Sequence, residues 1–427
     1  MTLTQRIVNA VQRRLVAERP RPGQLVRPRV EDSWRDYPAD GLTPTRMAAI
    51  LRASDDGAMD EAMQLYEQME EKDAHLFSVA NTRRIALTGL DWQIVSAAQL
   101  HPDIDRSRAD EAAAYCRESL ARLECFDDVL QHLALALGRN IAVAELVWDA
   151  NNGRHTLVDI LPIDFTRLTF DDLDRLRVLT KDEPIHGIDL PPNKFIAHTP
   201  HSATGHPARG GLSRVSALAY LGKHFAMKDW LIFAEVFGMP VRIARYEPSA
   251  TPQEKRELLD MLQSLGSDAA AIFSKAVELE IVEPRKASGA APYESICGFF
   301  NREMSKAWLG QTLTVETTGQ TGTFAAAQIH NEVRLDLRED DIRKEARTLR
   351  RDLLRPLVQL RFGRDVPVPF FRRKLDVPRD LRELSDVLAT AVNQLGMNVP
   401  ARWAHETLGI PQVANDEPRL ETHRAAG

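Results

Sequence analysis

Met63, Tyr66, Met69, Leu76, Val79 and Ile85 recur at spacings that keep to one face of a helix, so the stretch from Met59 to about Ala86 is predicted to form one or two amphipathic helices. Leu90 to Val95 reads as a strand, and Ala109 to Leu123 and Phe126 to Leu137 as two more helices. Ile141 to Trp148 and His155 to Ile163 carry strand-like sequence on either side of Asn151-Asn152-Gly153, a turn-forming triplet that predicts a hairpin. Helices interleaved with an antiparallel pair make this half α+β.

The pattern changes at Asp182 to Gly211, which is rich in Pro, Gly and His and holds one short apolar run, Phe195 to Ala197; it reads as a loop-dominated boundary. Beyond it, Leu212 to Gly238 is the longest uninterrupted helical signal, with Val215, Leu218, Leu221, Phe225, Phe233 and Val236 expected along one side and Gly238-Met239-Pro240 as its stop. Near Trp230 to Phe233 this helix is apolar around much of its circumference, so more than one neighbour must cover it. Val241 to Tyr246 is expected as a strand, Pro252 to Leu265 as a helix capped by Thr251, and Ala271 to Val282 as further strand.

Pro292 to Leu309 returns as a helix and gives way to Gln311–Thr323, whose six threonines, two glycines and single charge predict an exposed loop. A helix of about forty residues should start at Phe324, with Ile342, Ala346, Leu349, Leu353, Leu357 and Leu360 as its stripe and a kink at Pro356. After a Pro-rich stretch, Val366 to Pro378, two short helices are expected, Arg379 to Gln394 and Pro400 to Leu408.

At 427 residues the chain exceeds what a single hydrophobic core supports, and 44% hydrophobic with 27% charged residues fits ordered domains. No apolar run reaches the roughly 20 residues of a bilayer span and the N-terminus has no signal-like segment, so a cytoplasmic chain with no membrane contact is expected. Three cysteines without a C-x-x-C pair suggest buried thiols. A net charge of -6 argues against tight DNA binding by the whole surface, yet suits a wall past which DNA must move. The first thirty residues are the exception, with seven arginines against one acid; they read as a basic arm, either a solvated tail or a reach toward a neighbour or nucleic acid.

Motifs for a phosphate loop, a zinc-protease helix and a nucleophile elbow are absent, which argues against an ATPase or common hydrolase. His198, His201 and His206, with Asp164 and His186 elsewhere, could ligate a metal and so keep open a metal-dependent phosphodiesterase; Pro200, Gly205 and Pro207 break the geometry, and solvated loop histidines are the plainer reading. Asp171-Asp172 and Asp340-Asp341 are expected on solvated faces. Neither a catalytic residue, a metal site nor a cofactor is expected.

The run from Ser216 to Tyr246, SALAYLGKHFAMKDWLIFAEVFGMPVRIARY, closely resembles a stretch of the portal proteins of Mu-like bacteriophages. Arg209 to Arg214 (RGGLSR), Leu265 to Ala271 (LGSDAAA) and Ser305 to Thr314 (SKAWLGQTLT) fit the same family, and the likeness covers roughly Thr43 to Gly363. The resemblance implies a non-enzymatic subunit of a closed ring, twelve copies in assembled virions, at a capsid vertex. Its fold would be the α+β phage portal fold, with residues 1–42 as an arm, 43–210 as the first part of a wing, 211–238 and 289–309 as stem helices and 239–288 as a small α/β clip between them. Residues 310–323 would be a tunnel loop, 324–378 a long kinked helix completing the wing, and 379–427 a short helical crown.

On that resemblance, Thr312, Thr314, Thr317, Thr318, Gln320 and Thr321 would line the DNA channel, where hydroxyls and amides touch phosphates without the grip of Lys or Arg. Leu218, Leu221, Phe225, Trp230 and Phe233 would pack the stem, and Glu254, Lys255, Arg256 and Glu257 would dock partners. Those partners would be the terminase large subunit, head-completion or adaptor proteins, major capsid and scaffold proteins, and double-stranded DNA in transit. The chain would sit at the portal vertex of the virion and in the bacterial host cytoplasm during assembly. A ring-forming protein of a defective prophage is the milder alternative.

Overall fold

The computed structural model describes residues 41–101, 103–151, 154–200, 206–238, 242–246, 249, 251–254, 256, 270–274, 291–312, 324–375 and 381–411. The basic arm expected at residues 1–42 therefore lies almost wholly outside the described residues. The chain divides into two compact units, Met1–Arg373 and Lys374–Gly427, and its described part is α+β.

The larger unit opens with three helices, α1 (Pro44–Asp55), α2 (Asp60–Lys72) and α3 (Ala74–Thr88). Asp73 separates the last two: its side chain accepts hydrogen bonds from the amides of His75 and Leu76, both at 3.0 Å, and starts α3 as an N-cap. The short strand β1 (Trp92–Val95) follows, then α4 (Arg106–Ala121) and α5 (Phe126–Ala134). The expected hairpin forms between β2 (Ala142–Asn151) and β3 (Arg154–Pro162), with a bulge at Val147/Trp148. A small meander, β4 (Leu168–Phe170), β5 (Leu176–Val178) and β6 (Ile188–Asp189), precedes β7 (Phe195–His198), which pairs with β2 and makes a β3-β2-β7 sheet. The segment read as a loop-dominated boundary thus contributes a core strand.

Then come the long helix α6 (Leu212–Gly238), the parallel strands β8 (Arg242–Tyr246) and β9 (Ala270–Ser274), and α7 (Ala291–Leu309). The strand expected over Ala271 to Val282 is described only as far as Ser274. Helix α8 (Phe324–Leu349) runs through a π-helical turn (Arg350–Leu354) into α9 (Arg355–Phe362). Where a kink was expected at Pro356, the helix widens just before it. Proline lacks the N–H that the next α-turn needs, and the amide of Arg355 reaches back five residues to the Arg350 carbonyl instead. Strand β10 (Phe370–Arg373), inside the Pro-rich stretch that suggested no strand, pairs antiparallel with β1.

Two large hydrophobic cores form among the described residues, with a small third cluster of Leu87, Ala134 and Ile342. One joins α1–α3 to the N-terminal part of α6 and the C-terminal end of α7, with Tyr66, Met69, Leu76, Leu221, Met304 and Trp308 at its centre. The other packs α4 and α5 against the β3-β2-β7 sheet, α9 and the β1/β10 pair. Cys116 is buried in the second core, where burial pushes its thiol up to about 12, so it is inert; Cys125 and Cys297, expected as buried thiols too, are half-buried.

Buried charges stitch these layers together. Arg83 on α3 forms a two-pronged pair with Asp341 on α8 at 2.9 and 3.1 Å and donates a third bond to the Trp308 carbonyl on α7 at 2.8 Å. Arg373 on β10 grips Glu345 on α8 in the same manner at 2.9 and 2.7 Å and donates to the Leu90 carbonyl. The Asp340-Asp341 pair, expected on a solvated face, is split: Asp340 is exposed and meets half-buried Lys344, while Asp341 is buried. Consecutive helical residues point about 100° apart, so one faces water and the other Arg83.

In the smaller unit, α10 (Leu381–Asn393) and α11 (Ala401–Leu408) are short amphipathic helices, as expected from the sequence. No helix among the described residues is long and apolar enough to cross a membrane.

Two measurements check this packing. Arg83→Leu should lower unfolding stability by about 3–5 kcal/mol because Asp341 is left as an unpaired buried carboxylate, and Arg83→Leu/Asp341→Leu should restore much of it, read from denaturant melts. Burial holds His132, which bonds the Val143 carbonyl at 3.1 Å, down to about pKa 4 from an ordinary 6.5. Between pH 6.5 and 4 the unfolded chain binds that proton and the folded one resists it, so thermal stability should fall across this window on acidification, and less steeply in His132→Gln.

Candidate functional site

The part of the molecule with no catalytic look but with distinctive geometry is the pair α6/α7. Gly211 opens α6 with φ +92°, a left-handed conformation, and a Cβ there would overlap the Gly138 carbonyl, so glycine alone lets the helix start this close to the first core. The Trp308 indole N–H donates to Ser216 Oγ at 2.9 Å, a Cβ on Gly222 would overlap the Phe300 ring, and Trp230 stacks on Tyr293 with centroids 6.4 Å apart. Along α6 these contacts ascend while along α7 they descend, so the helices are antiparallel partners. Gly222 is the point of closest approach that permits it.

The pair is anchored at one end only. Lys223 on α6 reaches Asp73 at 2.8 Å in a buried pair, and His75 Nε2 lies 2.8 Å from Ser305 Oγ on α7. Arg83 holds the last turn of α7 through Trp308. Beyond Ala226 the helices leave the first core, and the chain between them carries β8 and β9. At 1.5 Å per residue the 27-residue α6 is about 40 Å long, so roughly its second half lies outside that core.

The residues expected to share one packed side of α6 separate onto two faces. Leu221 is buried with Ala217 and Tyr220, and Trp230 and Phe233 pack on Tyr293. Leu218 and Phe225, by contrast, are 68% and 41% exposed, and Val215 and Ile232 are exposed as well. Steps of seven from Leu218 to Phe225 to Ile232 put them on one stripe two turns apart, an uncovered flank beside the α6/α7 contact. Ile296 and Phe299 are likewise exposed on α7.

After Gly310, Gln311 is buried and Thr312 half-buried. Thr314, Thr317, Thr318, Gln320 and Thr321 lie outside the described residues. Of the expected docking residues, Glu254 and Arg256 are exposed in a first helical turn, and Lys255 and Glu257 are outside the described residues. Thr251 caps that turn: its hydroxyl accepts from the Glu254 amide at 3.3 Å while its own amide and hydroxyl donate to the Glu254 carboxylate at 2.8 and 2.9 Å. Those bonds hold the Glu254 carboxyl below its ordinary range.

The described histidines, His198 and His206, serve separate local structures. His198 is buried at the end of β7 with Nδ1 2.9 Å from Thr348 Oγ1, His206 caps a short 3₁₀ turn through the Ala208 amide, and His201 is outside the described residues. Asp164 caps another turn at Thr166, and His186 is a surface residue whose carbonyl binds Arg177. No cluster of potential metal ligands occurs among the described residues. What sequence reasoning missed is Lys223, buried on the apolar helix; a lone lysine inside an otherwise apolar stripe is the signal that could have found it.

The family described as portal protein of Mu bacteriophage matches residues 63–410. The Mu-like prophage FluMu protein gp29 of Haemophilus influenzae is 30% identical over 392 residues, 91% of this chain and 74% of that protein. The portal protein of Escherichia phage Mu is 30% identical over 390 residues, 90% of this chain and 74% of its own. Among solved structures, a chain of the virion of a native gene transfer agent particle has a TM-score of 0.48 and 12% identity, over 87% of this chain and 95% of that one. The family match over most of the length and the two relatives agree, and the chain belongs to the Mu bacteriophage portal protein family.

Proposed function

We propose that this chain is the portal subunit of a Mu-like phage or prophage, a structural head-tail connector and not an enzyme, which forms a ring around a DNA channel at one capsid vertex. Membership of the portal family supports the role directly. The observation that carries the ring is the exposed apolar stripe of α6: Leu218, Phe225 and Ile232, with Val215 beside them, are left uncovered by α7 and need cover. A second α6/α7 pair from a neighbouring copy provides that cover, and repeating the contact around an axis closes a ring, as head-to-tail contacts do when their rotation closes. Twelve copies is the proposed number.

In this reading α6 and α7 are the stem, the β8/β9 excursion with Glu254, Lys255, Arg256 and Glu257 is the clip, and residues 379–427, inside the compact unit Lys374–Gly427, are the crown. The threonine-rich segment from Thr312 to Thr321 borders the channel, its anchor fixed where α7 meets Arg83 through Trp308. Its near-neutral hydroxyls and amides make exchangeable contacts with passing phosphates. The clip docks the terminase large subunit during filling and the head-completion proteins afterwards, and the outer face meets major capsid and scaffold proteins. ATP hydrolysis belongs to the motor.

Negative-stain electron microscopy of the purified chain should show end-on rings with a central hole. Leu218→Asp/Phe225→Asp should leave a folded chain by circular dichroism but shift it to monomers; rings undiminished in that variant would remove the α6 stripe from the interface. Deleting Thr317 to Thr321 should preserve rings and reduce packaged or retained DNA at least several-fold in a packaging assay, and normal packaging would take the loop out of the mechanism.

A further inference from the structure

A cleft of about 520 Å³ opens between the α8–α9 helix and β10, and six of its nine lining residues are arginines: Arg343, Arg347, Arg350, Arg351 and Arg355 from the helix and Arg372 from the strand. Two of the six are neutralised locally, Arg343 by Glu339 at 3.1 Å and Arg351 by Asp352 at 2.6 Å. Arg347, Arg350, Arg355 and Arg372 have no carboxylate partner among the described residues. Like charges gathered at this density repel, and a fold keeps them together at a cost unless an anion sits among them.

The site is built rather than incidental. Arg350 lies flat on the Phe370 ring, 3.7 Å from its centroid, and donates to the Val368 carbonyl at 3.2 Å, which leaves its buried Nε without a partner. Burial, and then the adjacent Arg355, act against its charged form. Arg351 is held in place by the Ala197 carbonyl at 2.9 Å. Arg343, Arg347, Arg351 and Arg355 follow one another at steps of four along the same helical run, which spans at most about 18 Å at 1.5 Å per residue and is shortened by the π-turn at Arg350–Leu354.

A run of that length faces at most about five phosphates of one DNA strand at roughly 3.4 Å of axis each. A second copy of this chain matches it poorly. Its longest acidic run is Glu339-Asp340-Asp341, three residues already paired with Arg343, Lys344 and Arg83. Guanidiniums bind phosphate oxygens through two parallel charge-assisted hydrogen bonds, so contact with the DNA backbone needs no reading of base edges.

We infer that the arginine cleft between α8–α9 and β10 is a sequence-independent binding site for the phosphate backbone of double-stranded DNA, separate from the threonine-rich channel segment. The inference rests on the reading of the chain as a DNA-handling portal subunit, and the net charge of -6 makes the site a local exception on an otherwise acidic protein.

The test is fluorescence anisotropy of a labelled 30-base-pair duplex of random sequence against the assembled full-length chain over a series of salt concentrations. Each phosphate contact steepens the dependence of log affinity on log salt by about 0.9. Arg347→Gln/Arg355→Gln should therefore flatten the slope by about two, Arg347→Lys/Arg355→Lys should keep it, and Arg106→Gln/Arg122→Gln on the exposed face of α4 should leave it unchanged. An unaltered slope in the first variant overturns the inference. So does loss of rings in that variant with the slope retained, which would assign the cleft to a neighbouring copy. Absence of rings from the unaltered chain fails the portal reading instead, and electron microscopy of the same samples separates the two.

Discussion

Arg83 is the group on which the geometry of the larger unit turns. Its single guanidinium is shared by α3, which carries it, α8, which supplies Asp341, and α7, whose Trp308 carbonyl takes the remaining prong. These residues are far apart in sequence, and a planar fork with fixed donor directions can satisfy all three only in one mutual arrangement. Buried at 8% and 1% exposure, the pair gains little net stability over an apolar alternative, but it penalises every arrangement that separates the partners. Its effect is therefore register rather than raw stability: it fixes where α7 ends and α8 passes.

That register matters because the paired helices have only one anchored end. Lys223–Asp73, Ser216–Trp308 and Arg83–Trp308 clamp the start of α6 and the finish of α7 to the first core, and the exposed stripe of Leu218, Phe225 and Ile232 runs from that clamped base into the part that extends beyond it. A rigid base with an apolar, unsatisfied flank is what a ring of identical subunits requires: the base sets the angle and the flank supplies the adhesion. The close approach at Gly222 keeps the two helices acting as one unit. In the same larger unit, Arg373–Glu345 and the π-turn before Pro356 position the α8–α9 helix against β10, and the row of arginines on its outer side is carried by that rigid backing.

Much of this was legible from residue order. The limits of α6 at Leu212 and Gly238, the β2/β3 hairpin, α7, the helix from Phe324 and the Thr251 cap follow from interactions between residues a few positions apart: periodic burial, turn chemistry and capping. The family, too, is visible in the run from Ser216 to Tyr246, because that helix-to-strand segment is specific in its own right. The histidines lent themselves to a metal reading only because their distance in space was unknown; β7 buries His198 beside Thr348, while His206 serves a local turn.

The sequence by itself determined which segments are helical, where the long helix begins and stops, and to which family the chain belongs, because those properties reside in short-range order. Only the tertiary structure decided that Leu221 faces inward and Leu218 outward, that Asp341, Glu345 and Lys223 are buried, and that a proline-rich stretch supplies β10 to β1. The reason is common to all of them. Each depends on a partner brought near by folding: the first core for Leu221, Arg83 for Asp341, Arg373 for Glu345, Asp73 for Lys223 and Trp92–Val95 for β10. Periodicity marks a face as apolar or charged, but it carries no record of which distant element will cover it.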